Sequence, residues 1–274
     1  MTLNASVSGP VVYLDNWAIY DLAESDSARR KRFIDAIRSG MDLLFSVTNV
    51  AELWGPQGRS ADAVREFLDD IGPRWFPVEL SPIDVIQREL NGLDPNAVCI
   101  SESFLKSYVA HRMRSRAGEI VVLSDDFFCL GSILDYVGPQ RDSLREGSAE
   151  FDEMLKNKMG MLRDRFKQDP VGLERVLPLV PFHPTRRAFF VYNNFLRIIA
   201  SEADSLKKGD GMDFCHAVMA CAFGSFATLD KRWKRRADSL PKPNQLARTY
   251  SPLELEQMVT DMEDWLKHRE GSLS

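Results

Sequence analysis

The 274-residue sequence predicts an α/β fold: a parallel sheet flanked by helices, assembled from both ends of the chain, with a large, mainly helical insertion between them. Three observations carry this expectation. Over about the first eighty residues short apolar runs alternate with helix-like stretches, as repeated β-α units feeding a parallel sheet do. The same alternation returns over about the last seventy residues. Between them, long charged and amphipathic stretches carry the helical period.

In chain order, Val11-Val12-Tyr13-Leu14 is an apolar run suited to a strand buried on both faces, and a helix near Trp17 to Ala23 follows, so Asp15 sits just past a strand. A helix over Ala28 to Ser39 leads to a strand over Leu43 to Val47. Val50-Ala51-Glu52-Leu53-Trp54 then starts a helix with Glu52 near its beginning. A helix over Ala61 to Ile71 and a strand over Trp75 to Leu80 complete the first part. In the middle, Ser103 to Arg116, Ser143 to Gln168 and Arg187 to Glu202 read as helices, while Glu119 to Leu123 reads as either a strand or a buried helix segment. Met212 to Phe223 is apolar on nearly every side, as befits a helix packed between sheet and other helices. Ser225 to Leu229 is a strand ending at Asp230, followed by a basic helix, a Pro-rich stretch over Pro241 to Pro243, a strand near Arg248-Thr249-Tyr250, and a closing helix over Leu253 to His268. The expected organisation is one domain from residues 1–80 and 206–274 and a helical insertion or lobe over 81–205.

Composition narrows the class. At 44% hydrophobic and 27% charged, the chain matches an ordinary globular protein, not a disordered or fibrous one. No run approaches the roughly 20 apolar residues of a membrane helix, and Met1 to Pro10 has no basic flank before an apolar stretch, so a cytoplasmic protein with no membrane partner is expected. Cys99, Cys129, Cys215 and Cys221 form no Cys-x-x-Cys pair and the histidines are scattered, which suggests neither a disulfide framework nor a zinc site. The net charge of −5 argues against a uniformly positive, nucleic-acid-coating surface, but local basic clusters occur at Arg29 to Arg32, Arg186-Arg187, Lys207-Lys208 and, most densely, Lys231 to Arg236.

Four separated acids carry the candidate chemistry: Asp15, Glu52, Asp213 and Asp230. Singly, each is explained as a helix cap or as an acid favoured by a helix dipole; Asn49 with Glu52 has capping-box spacing, and Asp230 caps the basic helix. Jointly, they fall beyond the carboxyl ends of the predicted strands, where open α/β sheets bind ligands. Gathered carboxylates repel one another and raise each other's pKa unless a cation neutralises them. Oxygen-only ligands select hard cations, so Mg²⁺ or Mn²⁺ is expected, of the kind that activates water and stabilises the leaving oxygen in phosphoryl displacement.

These segments resemble the PIN-domain nuclease superfamily: Val12-Tyr13-Leu14-Asp15, Ser46-Val47-Thr48-Asn49-Val50-Ala51-Glu52-Leu53, and Gly209 to Ala217 running on to Ala227-Thr228-Leu229-Asp230. The resemblance implies a PIN-like fold and a metal-dependent nuclease in which Asp15, Asp213 and Asp230 bind metal directly, Glu52 binds metal or orients the attacking water, and Thr228 supports the site. Asp210 is either a further ligand or the cap of the helix carrying Asp213. The family often carries Asn, Ser or Thr two residues after the first Asp; here Asn16 is adjacent and Trp17 takes the second place. RNA, single-stranded, is the substrate implied, with 5′-phosphate and 3′-hydroxyl products; a homodimer and an inhibitory protein partner are left open. The helical middle exceeds that of the small toxin nucleases, whose substrates do not transfer.

Lys231, Arg232, Lys234 and Arg235, beginning one residue after Asp230, are the expected phosphate contacts, with Trp233 either a base-stacking surface or turned into the core. His216, three residues after Asp213, is expected to be a hydrogen-bonded structural group. Asp125-Asp126 is a rival acidic site or a helix cap with Ser124 or Asp125. The alternative class is a non-catalytic nucleic-acid or protein interaction module whose acids are caps. An aspartyl-nucleophile phosphatase is disfavoured because Asp15-Asn16-Trp17 lacks Asp-x-Asp, and there is no Gly-x-Ser-x-Gly elbow or phosphate-binding Gly-x-x-x-x-Gly-Lys loop.

Overall fold

A computed structural model describes residues 5–25, 27–53, 59–115, 125–241 and 245–271. Among these residues five short strands form one parallel sheet: β1 (Val11–Tyr13), β2 (Asp42–Phe45), β3 (Trp75–Pro77), β4 (Phe226–Thr228) and β5 (Arg248–Tyr250), in the spatial order β3-β2-β1-β4-β5. The apolar runs of β1 to β4 suit burial on both faces, while β5 at the sheet edge has Arg248 exposed. Val12 is aligned with Leu43 on one side and with Phe226 on the other, so β1 lies at the centre.

The helices are α1 (Asn16–Glu24), α2 (Ser27–Arg38), α3 (Val47–Leu53), α4 (Arg59–Ile71), α5 (Pro82–Leu90), α6 (Glu102–Ser115), α7 (Ser132–Val137), α8 (Arg141–Phe166), α9 (Pro170–Val176), α10 (Arg187–Ser201), α11 (Asp210–Phe223), α12 (Lys231–Asp238) and α13 (Leu255–Gly271). No helix among the described residues is long and apolar enough to cross a membrane. Side chains alternate across the sheet. Val12, Leu43, Phe45 and Phe226 join a core completed by Ile19, Phe33, Phe67 and Met258 of α1, α2, α4 and α13. Val11, Tyr13, Leu44 and Ala227 join the opposite core, with Val85, Met159, Phe195, Phe214 and Trp233 of α5, α8, α10, α11 and α12.

Several boundaries differ from the sequence expectation. Helix α3 begins at Val47, three residues early, because the Ser46 hydroxyl accepts the Asn49 amide at 3.0 Å and so caps it. The Asn49–Glu52 capping box is therefore not the start signal, and Glu52 lies in the last turn. Strand β3 stops at Pro77, and Val78 makes an antiparallel bridge to Ile100. Helix α5 was not singled out from the sequence, although its start is local: Ser81 Oγ accepts the Asp84 amide at 3.3 Å and proline opens the helix. Glu119 to Leu123, Ser124 and Trp54 lie outside the described residues, and Asp125–Phe128 is a 3-10 turn.

The start of α11 is fixed from outside its own sequence. Asp152, buried on α8, accepts the amides of Gly209 at 2.9 Å through Oδ2, and of Gly211 at 2.8 Å and Met212 at 3.0 Å through Oδ1. A carboxylate on the first-turn amides satisfies donors that a helix start leaves unpaired and complements its dipole. Gly209 has φ +95, and a Cβ on Gly211 would stand 2.4 Å from the Asp152 carbonyl oxygen, so the Gly-Asp-Gly sequence is demanded by close backbone approach. Gly211→Ala is therefore expected to lower stability by more than about 1 kcal/mol, an overpacking cost. Gly147→Ala, in the open middle of α8 with nothing within 4 Å of a Cβ, should instead stabilise by about 0.5–1 kcal/mol; paired urea melts check both signs.

Candidate functional site

From β1 the chain proceeds to β2 on one side, while β4 lies on the other, so the segments leaving the two adjacent strands diverge. Such a reversal in strand order opens a crevice beyond the carboxyl ends of a parallel sheet. Asp15 lies two residues past β1 and Asp230 two residues past β4, on the two sides of this crevice. Asp213 reaches it from the first turn of α11, and Glu52 from the last turn of α3.

Each acid also has local work. Asp15 caps α1, its Oδ1 accepting the Asn16 amide at 2.7 Å, and its own amide donates to the hydroxyl of fully buried Thr228 at 2.7 Å. Asp230 caps α12, its Oδ1 accepting the Trp233 amide at 2.7 Å. Asn16 Nδ2 donates to Glu52 Oε2, while Asn16 Oδ1 accepts from Asn49 Nδ2 at 2.7 Å. Beneath, Ser46 Oγ donates to Asn49 Oδ1 and pairs with the Thr48 hydroxyl at 2.8 Å; that hydroxyl meets His216 Nε2 at 3.1 Å, and His216 Nδ1 meets the Tyr13 hydroxyl. A continuous polar chain thus runs from Glu52 to the central strand. Burial pushes the His216 imidazole down to about 4, so it is neutral at pH 7 and serves this chain as a hydrogen-bonding group.

The electrostatics tie the acids together. Burial pushes the Asp213 carboxyl up to about 7, and the charges of Asp15, Asp230 and Glu52 push in the same direction. Burial likewise pushes Asp15 up to about 6, opposed by the Asn16 amide and reinforced by Asp230 and Glu52. The side chains of Trp17 and Trp233 act the other way on Asp15 and Asp213, yet neither indole N–H completes a hydrogen bond. Surrounding protein also raises the Glu52 carboxyl, offset by Asn16 and Arg145. Because Glu52 is exposed, that rise carries little energy.

Four carboxylates of this kind offer oxygen only, the donor chemistry of Mg²⁺ or Mn²⁺. The cap of Asp15 and that of Asp230 each engage Oδ1, leaving Oδ2 outside the cap. Among the described residues, however, no three His, Cys, Asp or Glu side chains stand together as a ready-made metal-binding group. A cation would have to draw the carboxylates inward, and its charge would offset the burial and mutual repulsion that raise Asp15 and Asp213.

The remaining expected residues lie as follows. Asp210 is fully buried: its Oδ2 accepts the Lys207 amide at 2.5 Å and its Oδ1 pairs with Arg232. It is not among the charges acting on Asp15 or Asp213. Lys234 pairs with Asp238 at 2.8 Å and Arg235 with Asp204 at 3.5 Å, while Lys231 is exposed. Trp233 is turned into the core, its ring centroid 5.6 Å from that of Phe195 in a T-shaped contact, so it offers no stacking surface. The Arg29 to Arg32 run is occupied by Asp21, Asp70, Asp35, Glu256 and Glu263. Sequence reasoning missed Arg145, whose Nε donates to the Ala51 carbonyl at 3.1 Å beside Glu52. Nothing in the charged period of α8 singles it out. Set against family models, curated proteins and solved structures, the chain matches none. The PIN-domain resemblance therefore rests on this chain's own residues.

The raised Asp213 pKa has a definite sign. Above about pH 7 the folded protein holds a carboxylate that the unfolded chain holds more easily, and the penalty fades as pH falls toward the ordinary value of 3.8, where both states bind the proton. Asp213→Asn should therefore stabilise the metal-free protein at pH 8 by about 1–3 kcal/mol, a shift of roughly three pKa units reduced for partial exposure. Chemical denaturation at pH 8 and pH 4 checks this, since the gain over wild type should vanish at the lower pH.

Proposed function

We propose that the protein is a PIN-like, metal-dependent nuclease that hydrolyses nucleic-acid phosphodiesters, with RNA as the expected polymer. One observation supports this reading above the others: Asp15, Glu52, Asp213 and Asp230, borne on four separate elements about the crevice between β1 and β4, act on one another's charge, adding to the burial that raises Asp15 to about 6 and Asp213 to about 7. Unrelated helix caps have no reason to act on one another.

In this reading Asp15, Asp213 and Asp230 offer the ligand oxygens. Bound Mg²⁺ or Mn²⁺ would supply water activation and stabilisation of the leaving oxygen. Glu52, steered by Asn16, either adds a ligand oxygen or orients the attacking water, and Thr228 fixes the backbone of Asp15. Asp210 is left out of the ligand set because Arg232 engages it.

A second reading, a non-catalytic interaction module of PIN-like fold, has its own supporting observations: Asp15 and Asp230 do cap α1 and α12, and no ready-made metal group is found among the described residues. Two measurements separate them. In the nuclease reading, Mn²⁺ or Mg²⁺ at millimolar concentration raises Tm, and Asp15→Asn and Asp213→Asn remove that rise. Labelled single-stranded RNA is cut in Mn²⁺ but not in EDTA, and each substitution lowers the rate at least about 100-fold, as loss of transition-state charge stabilisation does. Equal cutting by wild type and both variants would sink the site assignment, and a folded wild type that neither cuts nor responds to metal would favour the interaction module.

A further inference from the structure

Two adjoining pockets lie against α8. One, of about 410 Å³, is lined by Glu52, Asp152 and Asp213 and by the exposed cations Arg145 and Lys208. The other, of about 370 Å³, lies between α3, the chain after β3, and α8; its lining is mainly apolar and includes Phe104 and Phe151. Thr48, Ser148 and Met212 line both, so the two share a wall. Arg145 is steadied by its bond to the Ala51 carbonyl through Nε, and its two Nη groups are not part of that bond.

From these facts we infer that the two pockets form one substrate groove, in which Arg145 and Lys208 hold a backbone phosphate beside the acids and the apolar pocket receives an unstacked base of the same strand. The inference rests on the nuclease reading and adds to it the residues that position substrate. The acids alone repel a polyanion, so cations next to them are required to seat it, and α12 supplies few, its Arg232 and Lys234 being engaged internally. A phosphate contact positions without reading sequence, whereas an aromatic-walled pocket next to it selects a strand whose bases are free to leave the stack. Both volumes lie in the range of about 300–1,000 Å³ typical of small-ligand pockets. The groove therefore favours single strands and excludes intact duplex, whose bases cannot reach the apolar pocket.

The test is equilibrium binding, by fluorescence anisotropy in EDTA, of labelled decauridylate and of an abasic decamer with the same phosphates. Wild type is expected to bind decauridylate at least about ten-fold tighter than the abasic strand. Gly147→Leu, which projects into the apolar pocket from a position with nothing within 4 Å of its Cβ, should erase that preference without lowering Tm. Arg145→Gln with Lys208→Gln should weaken both strands about ten-fold. Equal binding of the two strands by wild type, a preference that survives Gly147→Leu, or unchanged affinity in the double variant would each overturn the groove. Mn²⁺-dependent cleavage with unaltered kcat and KM in these variants would overturn it while leaving the nuclease reading intact. Base-dependent binding abolished by Gly147→Leu, with no cleavage in any metal, would uphold the groove and remove the nuclease.

Discussion

Like charges cannot be gathered without something that holds them there, and most of the described structure around the crevice serves that need. Asp15 is held by a backbone bond to Thr228 on the neighbouring strand, Asp230 by its capping bond to α12, and Asp213 by a helix whose first amides lie on Asp152 of α8. Glu52 is tethered by Asn16, which is itself held through Asn49 to Ser46. None of these supports neutralises an acid. They fix position and leave the charge uncompensated, so burial, reinforced by the neighbouring acids, keeps Asp15 and Asp213 protonated to unusually high pH.

The supports come from parts of the chain that sequence order keeps apart. Helices α5, α8 and α10, from the middle of the sequence, bury Val85, Met159, Phe190 and Phe195 in the core shared with Val11, Tyr13 and Ala227 of the sheet. The same packing surrounds α11, whose Phe214, Ala217 and Ala220 are buried in that core. Fixing the acidic crevice and burying the second core are in this sense one structural task.

Much of this was legible in the sequence. Strands β1 to β4 were readable from runs such as Val11 to Leu14 and Ser225 to Leu229, because a strand buried on both faces leaves few polar residues to blur the pattern, whereas β5, Arg248 to Tyr250, was read without such a run. The placement of Asp15 and Asp230 two residues past β1 and β4 followed from where those strands end. Short helices such as α7 and α9 gave too few turns for a period to show. The start of α3 was misplaced because Ser46 and Asn49 both make plausible caps, and only the Ser46 contact decides between them. The fates of the basic residues were not legible: α12 reads as a cationic surface, yet Arg236 lies 1% exposed against Glu202 and over the Trp233 ring, and Arg232 meets a buried Asp210. Such pairings are made by distant segments and leave no local signature. Arg145 escaped notice for the same reason.

The strand order has a bearing on how the molecule is made. Since β1 pairs with β2 on one edge and with β4 on the other, its second edge stays open while some two hundred further residues emerge from the ribosome. An unpaired apolar edge of that kind invites wrong partners, and closing a loop of such length is slow. The nascent chain therefore passes a long interval with its central strand half covered, and the exposure to mispairing during synthesis follows from the topology itself.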